Sequence, residues 1–468
     1  MITKKRVIAL AAGILLILAM ACGSDSDVAS ESANGDGVTP AYEPRSFDEI
    51  KSQNVDLKLV SAPALPEIPI TFTEHVAPIV QKNCQSCHRP GGEAPFSLTT
   101  YASIQRRAEM VAEVVREERM PPWFADPQHG SFGNDARMSR EDRQTIVDWV
   151  KGGLVKGDPS HMPAPVRWVR KKWKISKPDL VLTVPKPVKV PADGYIPYQY
   201  ASLHRTGVAG LFPYVFSEDT WIEQVEIKAQ DPKVLHHANL AYIIPGKQGR
   251  KDVDREGNFI TGQVPGGSPM QLELGVGFMI PKGAVFVLQM HYVTVGKATA
   301  DRASVGIVFA KTPIVKQLRH MRVNNNRFRI TPGSPAHEVR AKRTIEKDST
   351  GIAMYVHMHL RGKDMTFTAT YPDGRKETLL VVPNYSFDWQ LPYMWKAPKE
   401  LPAGTVIECV AHFDNSPFNP YNPDPTKRVK FGPQTYHEMM YGFLFFIENL
   451  ENLELKVDPK TGQALSRR

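Results

Sequence analysis

Apolar and polar positions alternate over many short runs between about residues 176 and 456. Such runs, separated by Gly and Pro turns, predict β-strands. One run contains His357 and His359, and because successive strand side chains point to opposite faces, both are predicted to lie on one side. The alternation resumes at Phe367 and Tyr371. We therefore predict that this half of the chain is all-β and folds as β-sandwiches.

The pattern before this region is helical. Residues 73–82, 104–119 and 139–149 show the spacing of short helices, and the last begins with a serine followed by acidic residues, which is typical of a capped helix start. We predict a small all-α domain over residues 67–158. A linker rich in Lys, Trp and Pro, residues 159–175, follows it.

The amino terminus has the layout of an export signal. Three basic residues precede an apolar run at 7–20, so that residues 1–21 resemble a bacterial signal peptide. Cys22 stands where a lipoprotein carries its lipid; the alternative is ordinary cleavage with Cys22 as a free thiol. Residues 23–45 are too polar to fold, and residues 22–66 are predicted to be a flexible tether. An exported bacterial lipoprotein, on the periplasmic face of the outer membrane or the cell surface, is expected.

Length, charge and cysteine content add bounds. A chain of 468 residues is expected to form about three domains. We divide the β-rich half into sandwiches at 176–315 and 316–456, followed by a tail at 457–468. The net charge of +9 is scattered, which predicts a solvated surface and no nucleic-acid partner. With four cysteines, of which three have other predicted uses, no intramolecular disulfide is expected.

Residues 84–88 read Cys-Gln-Ser-Cys-His, the attachment signal for a c-type haem. Cys84 and Cys87 would bond the haem and His88 would ligate the iron. A zinc site would need a second Cys/His pair nearby, and a thioredoxin-like motif would need a βαβ pattern. Helix, haem motif and closing helix together resemble cytochrome c. Met120, before two prolines, is the favoured sixth ligand. The alternatives are Met110, Met138 and His129.

Histidines interrupt several apolar, strand-like runs of the second half: His236, His237, His291, His357 and His359. Several such histidines in one β-rich region favour a metal site over coincidence. Imidazole suits zinc, copper, iron and nickel, and a thioether adds preference for copper(I). The sequence lacks the spacing of an iron facial triad and has no cysteine beside these histidines, so copper is the favoured metal. Roles for three residues stay open: Cys409, His412 and His437.

The order of these motifs resembles the copper type II, ascorbate-dependent monooxygenases, which include the peptidylglycine α-hydroxylating and dopamine β-monooxygenases. The matching motifs are Leu-His-His at 235–237, Leu-Gln-Met-His-Tyr at 288–292, His-x-His-x-x-Gly-Lys at 357–363 and Glu-Met at 438–439. The resemblance implies two jelly-roll-like sandwiches, each with one copper. His236, His237 and His291 would hold the electron-transfer copper. His357, His359 and Met439 would hold the oxygen-binding copper and be the catalytic set.

The resemblance has departures that bear on the substrate. Tyr355 and Phe443 stand where the peptide-hydroxylating enzyme has the arginine and tyrosine that anchor its substrate. We therefore expect glycine-extended peptides to be poor substrates. A small organic molecule would be hydroxylated with O2, and an external donor would supply electrons through the haem. The alternative is a lipid-anchored electron-transfer or copper-binding protein without monooxygenase activity.

Overall fold

The computed structural model describes residues 69–168, 172–206, 212–245 and 259–465. The predicted signal peptide, tether and Cys22 lie outside these described residues. Within the described ranges, no helix combines the length and hydropathy needed to cross a membrane. Strands dominate this part of the chain, so the prediction of a mostly β protein is confirmed at that level.

Helices are concentrated before residue 162. They are a π-helical turn Phe72–Val76, α1 Ala77–Asn83, α2 Tyr101–Gln105, α3 Ala108–Arg116, α4 Arg140–Lys151 and a 3-10 turn Pro159–His161. The single helix expected over 104–119 is thus two, α2 and α3. Helix α4 begins as predicted, because the Ser139 hydroxyl accepts a hydrogen bond from the Asp142 N–H (3.0 Å). The helices share a core around Phe72 and Trp149.

The N-terminal β-unit has two main sheets around one apolar core. Its strands are β1 Leu180–Thr183, β2 Val188–Val190, β3 Gln199–Ser202, β4 His204–Arg205, β5 Thr220–Lys228, β6 Leu235–Ile243, β7 Phe259–Gln263, β8 Met270–Gln271, β9 Val276–Ile280, β10 Val285–Tyr292, β11 Thr299–Asp301, β12 Ser304–Phe309 and β13 Lys316–Gln317. The larger sheet runs β13-β9-β5-β12-β1-β4, with β8 on β5, and the smaller runs β3-β10-β6-β7. The core draws buried residues from both, such as Ile222 and Leu288.

The C-terminal β-unit repeats this plan around a second core. Its strands are β14 Arg319–Asn325, β15 Arg329–Ile330, β16 His337–Thr344, β17 Ser349–His357, β18 Gly362–Thr370, β19 Lys376–Val382, β20 Pro392–Leu401, β21 Val406–Phe413, β22 Val429–Lys430 and β23 Met440–Glu448. The two four-stranded sheets run β14-β23-β17-β20 and β16-β21-β18-β19. Period-two alternation in β18 puts Phe367 and Ala369 in the core.

The boundaries between parts differ from the sequence division. Strand β13 pairs with β9, so the N-terminal β-unit extends to Gln317 and does not end at 315. The segment divided at 456 into sandwich and tail returns to that same unit: Leu455 forms a bridge with Ile314, and Gln463 with Thr220. Long-range pairing of this kind leaves no local signal in the sequence, which explains the difference.

The helical part also docks onto the C-terminal β-unit. The loop after α3 sends Trp123 and Phe132 into the core of that unit, where both rings meet Tyr393. Backbone hydrogen bonds accompany the contact, from Gly133 N–H to the Met394 carbonyl and from Lys396 N–H to the Ser131 carbonyl (both 2.8 Å). The helical part is therefore fastened to the strands that follow it much later in the chain.

Candidate metal centre

A β-bulge brings the first three predicted ligands together. His237 on β6 pairs with His291 on β10, but Tyr292 pairs with Leu235, so His236 is the extra residue. Without the bulge, His236 and His237 would face opposite sides. The His237 and His291 rings stack with centroids 4.9 Å apart, and the His236 ring lies 6.2 Å from that of His291. We call these three residues the first histidine group.

The second group lies at the end of β17. His357 is the last residue of that strand and His359 follows two positions later, with ring centroids 5.2 Å apart. Met358, between them, points into the core of the C-terminal β-unit, so the predicted alternation persists past the strand end. Met439 shares a cavity with His357, whereas Met440 is fully buried in the core. His357, His359 and Met439 form the second group.

Tyr198 and Gln390 link the two groups. The hydroxyl of Tyr198 hydrogen bonds with Nε2 of His237 (3.0 Å), and its ring also contacts that of His359. The Gln390 side chain reaches Nδ1 of His357 (2.7 Å) through its oxygen and Nε2 of His237 (3.2 Å) through its nitrogen. Sequence reasoning missed both residues, because neither lies in a motif and each meets the histidines only through the tertiary fold.

The hydrogen bonds leave specific ring nitrogens for a metal. In the first histidine group, Nδ1 of all three rings is buried without a hydrogen-bond partner. In the second, Nδ1 of His357 donates to Gln390 and Nδ1 of His359 donates to the His437 carbonyl (3.2 Å), which leaves Nε2 of each ring. Anchoring one imidazole nitrogen while the other is available is typical of metal-ligating histidine. The donor set therefore fits copper, with a thioether in the second group.

Burial keeps these imidazoles neutral. It lowers the pKa of His291 and of His357 to about 4, and it lowers the pKa of His237 and His359 well below the ordinary value. Neutral imidazole is the form that binds metals. As the side chains stand, no three His, Cys, Asp or Glu side chains in the described part of the chain converge to hold an ion. Metal binding by the three rings of the first histidine group would thus require those rings to turn.

Glu438 fixes the backbone that carries the second group. Its fully buried carboxyl accepts hydrogen bonds from the N–H of His359 (2.8 Å) and of Arg361 (2.6 Å). Burial raises the pKa of Glu438 to about 8, against the effect of these hydrogen bonds and of the Arg361 charge. The Arg361 guanidinium is itself buried and donates to Asn415. Glu438, which directly precedes Met439, thus ties the loop after β17 to the segment that carries Met439.

The haem motif has the donor atoms that attachment requires. Cys84 and Cys87 are free thiols, and Nδ1 of His88 hydrogen bonds with the Phe96 carbonyl (3.2 Å), which leaves Nε2 for iron. Cys87 faces the N-terminal β-unit: a Cβ added to Gly266 would lie 2.8 Å from its sulfur. The chemistry of this donor set fits a covalently attached haem.

The candidates for the sixth iron ligand separate by burial. Met138 lies in the core of the helices and Met110 is 41% exposed on α3. Met120 is half-buried just after α3, where its N–H bonds the Val114 carbonyl (3.1 Å). His129 is half-buried in the loop that docks on the C-terminal β-unit. Met120 remains the favoured candidate.

Three residues without an assigned role have clear surroundings. His412 hydrogen bonds with Asp364 (2.7 Å), which fits a network histidine. Cys409 is a fully buried thiol whose pKa burial raises well above its usual range. His437 contributes its carbonyl to His359, while its own Nδ1 is buried without a partner.

A cavity of about 170 Å³ opens beside the second group, between the two β-units. It is lined by Tyr200, Asn239, Ala241, Phe259, Val287, Gln289, Tyr355, His357, Met439, Tyr441 and Phe443. We call it the aromatic pocket. A larger cleft of about 680 Å³, lined by basic residues such as Arg205 and Arg302, lies elsewhere on the N-terminal β-unit and includes none of the predicted metal ligands.

Comparisons with known proteins assign no family. No protein-family profile and no curated protein matches the chain. A structure from the Gx strain of infectious bursal disease virus is 8% identical and covers 58% of this chain and 72% of its own, with a TM-score of 0.19. An uncharacterized Listeria monocytogenes protein is 12% identical over 58% of this chain and 19% of its own (TM-score 0.17). A mutant oxalate decarboxylase from Bacillus subtilis is 9% identical over 54% and 69% (TM-score 0.12). Similarity this weak carries no argument about fold or function.

Proposed function

We propose that the protein is a copper-dependent monooxygenase that hydroxylates a C–H bond of a small organic substrate with O2. The observation that carries the proposal is that two ligand groups from separate β-units are linked through Tyr198 and Gln390, and that the second group lines a cavity. The motif order supports the copper type II, ascorbate-dependent family, with two jelly-roll-like sandwiches. The haem motif supports a fused cytochrome c domain.

Each group would hold one copper ion. The first would use Nδ1 of His236, His237 and His291, and the second would use Nε2 of His357 and His359 with the Met439 sulfur. When bound, copper would supply oxygen activation and electron storage, and haem would supply one-electron exchange with an external donor.

The chain's own residues orient the ligands. Gln390 and the His437 carbonyl fix the tautomers of His357 and His359. Tyr198 and Gln390 both contact Nε2 of His237 and thereby hold its ring. Glu438 holds the loop between β17 and β18.

Oxygen uptake coupled to product tests the proposal. The full chain, carrying haem and copper, is reduced and supplied with 18O2 and a panel of small neutral organic molecules, with glycine-extended peptides as the contrasting class. One labelled oxygen atom in an organic product supports a monooxygenase. Reversible copper and haem redox without a product supports the non-enzymatic alternative. Efficient turnover of a glycine-extended peptide would contradict the inference from Tyr355 and Phe443.

Two further parts of the proposal have separate tests. Covalent haem on Cys84 and Cys87 predicts that the haem stays with the protein in acidified acetone; its extraction contradicts attachment. Export and a lipid anchor on Cys22 predict a mature amino terminus at Cys22 that carries lipid mass. A mature chain that starts elsewhere would contradict the anchor.

A further inference from the structure

The aromatic pocket is built from side chains of both β-units. In β17 and β23, Tyr355 pairs with Phe443 and His357 pairs with Tyr441, so four side chains of one face line the same wall. From β7, the Phe259 ring packs against Phe443 (4.8 Å between centroids) and Tyr355 (5.5 Å). These surfaces suit the flat face of a ring, because aromatic pairs favour offset or tilted contacts at such separations.

The size of the aromatic pocket limits its ligand. Its volume of about 170 Å³ is close to that of an engineered apolar cavity, about 150 Å³, that holds one benzene molecule. One ring with a small substituent therefore fills it. Since His357 and Met439 share the cavity, a bound ring lies next to the second group.

The pocket also lacks charge. Its lining residues, all within the described part of the chain, include no Asp, Glu, Lys or Arg. The lining amides and hydroxyls hydrogen bond to one another: Gln289 to Tyr200 (2.7 Å), Asn239 to Gln289 (3.0 Å) and Tyr355 to Asn239 (3.2 Å). A charged ligand would lose its hydration without gaining a counter-charge.

We infer that the substrate is a small, uncharged, single-ring aromatic molecule that binds in the aromatic pocket. The inference rests on the proposed function, since it takes the pocket beside the second group as the substrate site. The inference differs from the proposed function because binding of the ring requires neither copper nor turnover.

Three probes with the same ring and different charge test the inference: benzamide, benzoate and benzylamine, which is a cation at pH 7. Binding to the copper-free full chain is measured by isothermal titration calorimetry. We expect benzamide to bind at least about 10-fold more tightly than either ion, because the pocket offers the ions no partner. Equal binding of all three, tighter binding of an ion, or no binding of benzamide would each overturn the inference.

Two variants locate the binding. Ala241→Leu adds volume inside the pocket without removing a core side chain, and it should abolish benzamide binding while circular dichroism stays unchanged. The control, Phe418→Ala, changes a ring that is 90% exposed and outside the pocket, and should bind benzamide like the original chain. Benzamide binding that survives in Ala241→Leu would place the site elsewhere and overturn the inference.

The same samples separate this inference from the proposed function. If benzamide binds as expected but the copper-loaded, reduced chain forms no oxygenated product from any neutral ring compound, the monooxygenase proposal fails and the pocket assignment stands. If a non-aromatic compound is hydroxylated and benzamide does not bind, the pocket assignment fails alone.

Discussion

His320 is a buried histidine that belongs to neither ligand group. It lies on β14 at 3% exposure, against the rings of Phe259, Phe443 and Phe445, and its Nε2 has no hydrogen-bond partner. Burial, together with the nearby Arg322 charge, lowers the pKa of His320 to about 3. The folded protein therefore keeps this ring neutral at pH values where the unfolded chain protonates it.

This difference predicts a pH-dependent stability. Between pH 6.5 and about 3, His320 is protonated in the unfolded state but not in the folded state. The stability that neutral His320 contributes to the folded state is therefore fully present above pH 6.5 and is lost as the pH falls. Relative to His320→Leu, the free energy of unfolding of the original chain should fall by about 1.4 kcal/mol per pH unit below pH 6. Urea unfolding at pH 7.0 and 5.0 measures it. A pH-independent difference between the two proteins would contradict the burial argument.

For single residues, sequence motifs predicted the candidate metal ligands but not the residues that hydrogen bond to them. The shared orientation of His357 and His359 could be predicted from strand alternation. In the structure Met358, between them, points into the core, and the two histidines form one ligand group. The roles of Tyr198 and Gln390 could not be predicted, because neither residue lies in a motif. Only the fold brings them to His237 and His357.

At the scale of elements, β7 meets β17 at a glycine. A Cβ on Gly262 would lie 3.0 Å from both the Asn239 side-chain oxygen and the Tyr355 hydroxyl, which are hydrogen bonded to each other across the two β-units. The close approach explains a glycine inside a strand, where it otherwise weakens the structure.

We predict that Gly262→Ala destabilises the protein. An alanine in a strand would ordinarily raise the free energy of unfolding by about 0.5–1 kcal/mol relative to glycine. Here the added methyl group would press on the hydrogen bond between Asn239 and Tyr355. A decrease of about 1 kcal/mol in the free energy of unfolding is expected, comparable to one net hydrogen bond. Gly133→Ala is the control, since its added Cβ would meet nothing closer than 3.6 Å. If Gly262→Ala is as stable as this control, the close approach is not restrictive.

Sequence patterns predict one feature of the elements and miss another. Because adjacent strand residues face opposite sides, His236 and His237 can share an ion only at a strand end or a bulge, and a bulge is present at His236. The single helix predicted over 104–119 is broken after Gln105, where an apolar helical spacing continues through a turn and hides the break.

At the scale of the whole molecule, the helical part touches both β-units. Beside Cys87, the Glu93 carboxylate hydrogen bonds with the Gly266 N–H and forms an ion pair with Lys174 (3.0 Å). On the other side, Trp123 and Phe132 enter the core of the C-terminal β-unit. Neither interaction could be predicted from sequence, since both join segments far apart in the chain whose local patterns are those of ordinary helix and loop.

This docking predicts internal electron transfer from haem to copper. In the reduced-haem, oxidised-copper protein kept without oxygen, haem oxidation should be first order and independent of protein concentration. Glu93→Ala removes the carboxylate that joins the haem motif to Gly266 and Lys174, and should slow the step. Glu113→Ala, which breaks an exposed ion pair with Arg119 on the same helical part, should not. Oxidation proportional to protein concentration would contradict internal transfer.

We propose that the two ligand groups hold two copper ions, one of them with a methionine sulfur. Anaerobic copper(I) titration, followed by X-ray absorption at the copper edge, measures stoichiometry and ligand type together. We expect the original chain to bind two equivalents of copper(I) and to show a copper–sulfur bond. Met439→Leu should bind one equivalent and show no copper–sulfur bond, whereas the buried control Met440→Leu should behave like the original chain. Fewer than two equivalents in the original chain would contradict the proposed pair of copper sites. A copper–sulfur bond that survives Met439→Leu and disappears in Met440→Leu would contradict Met439 as the ligand.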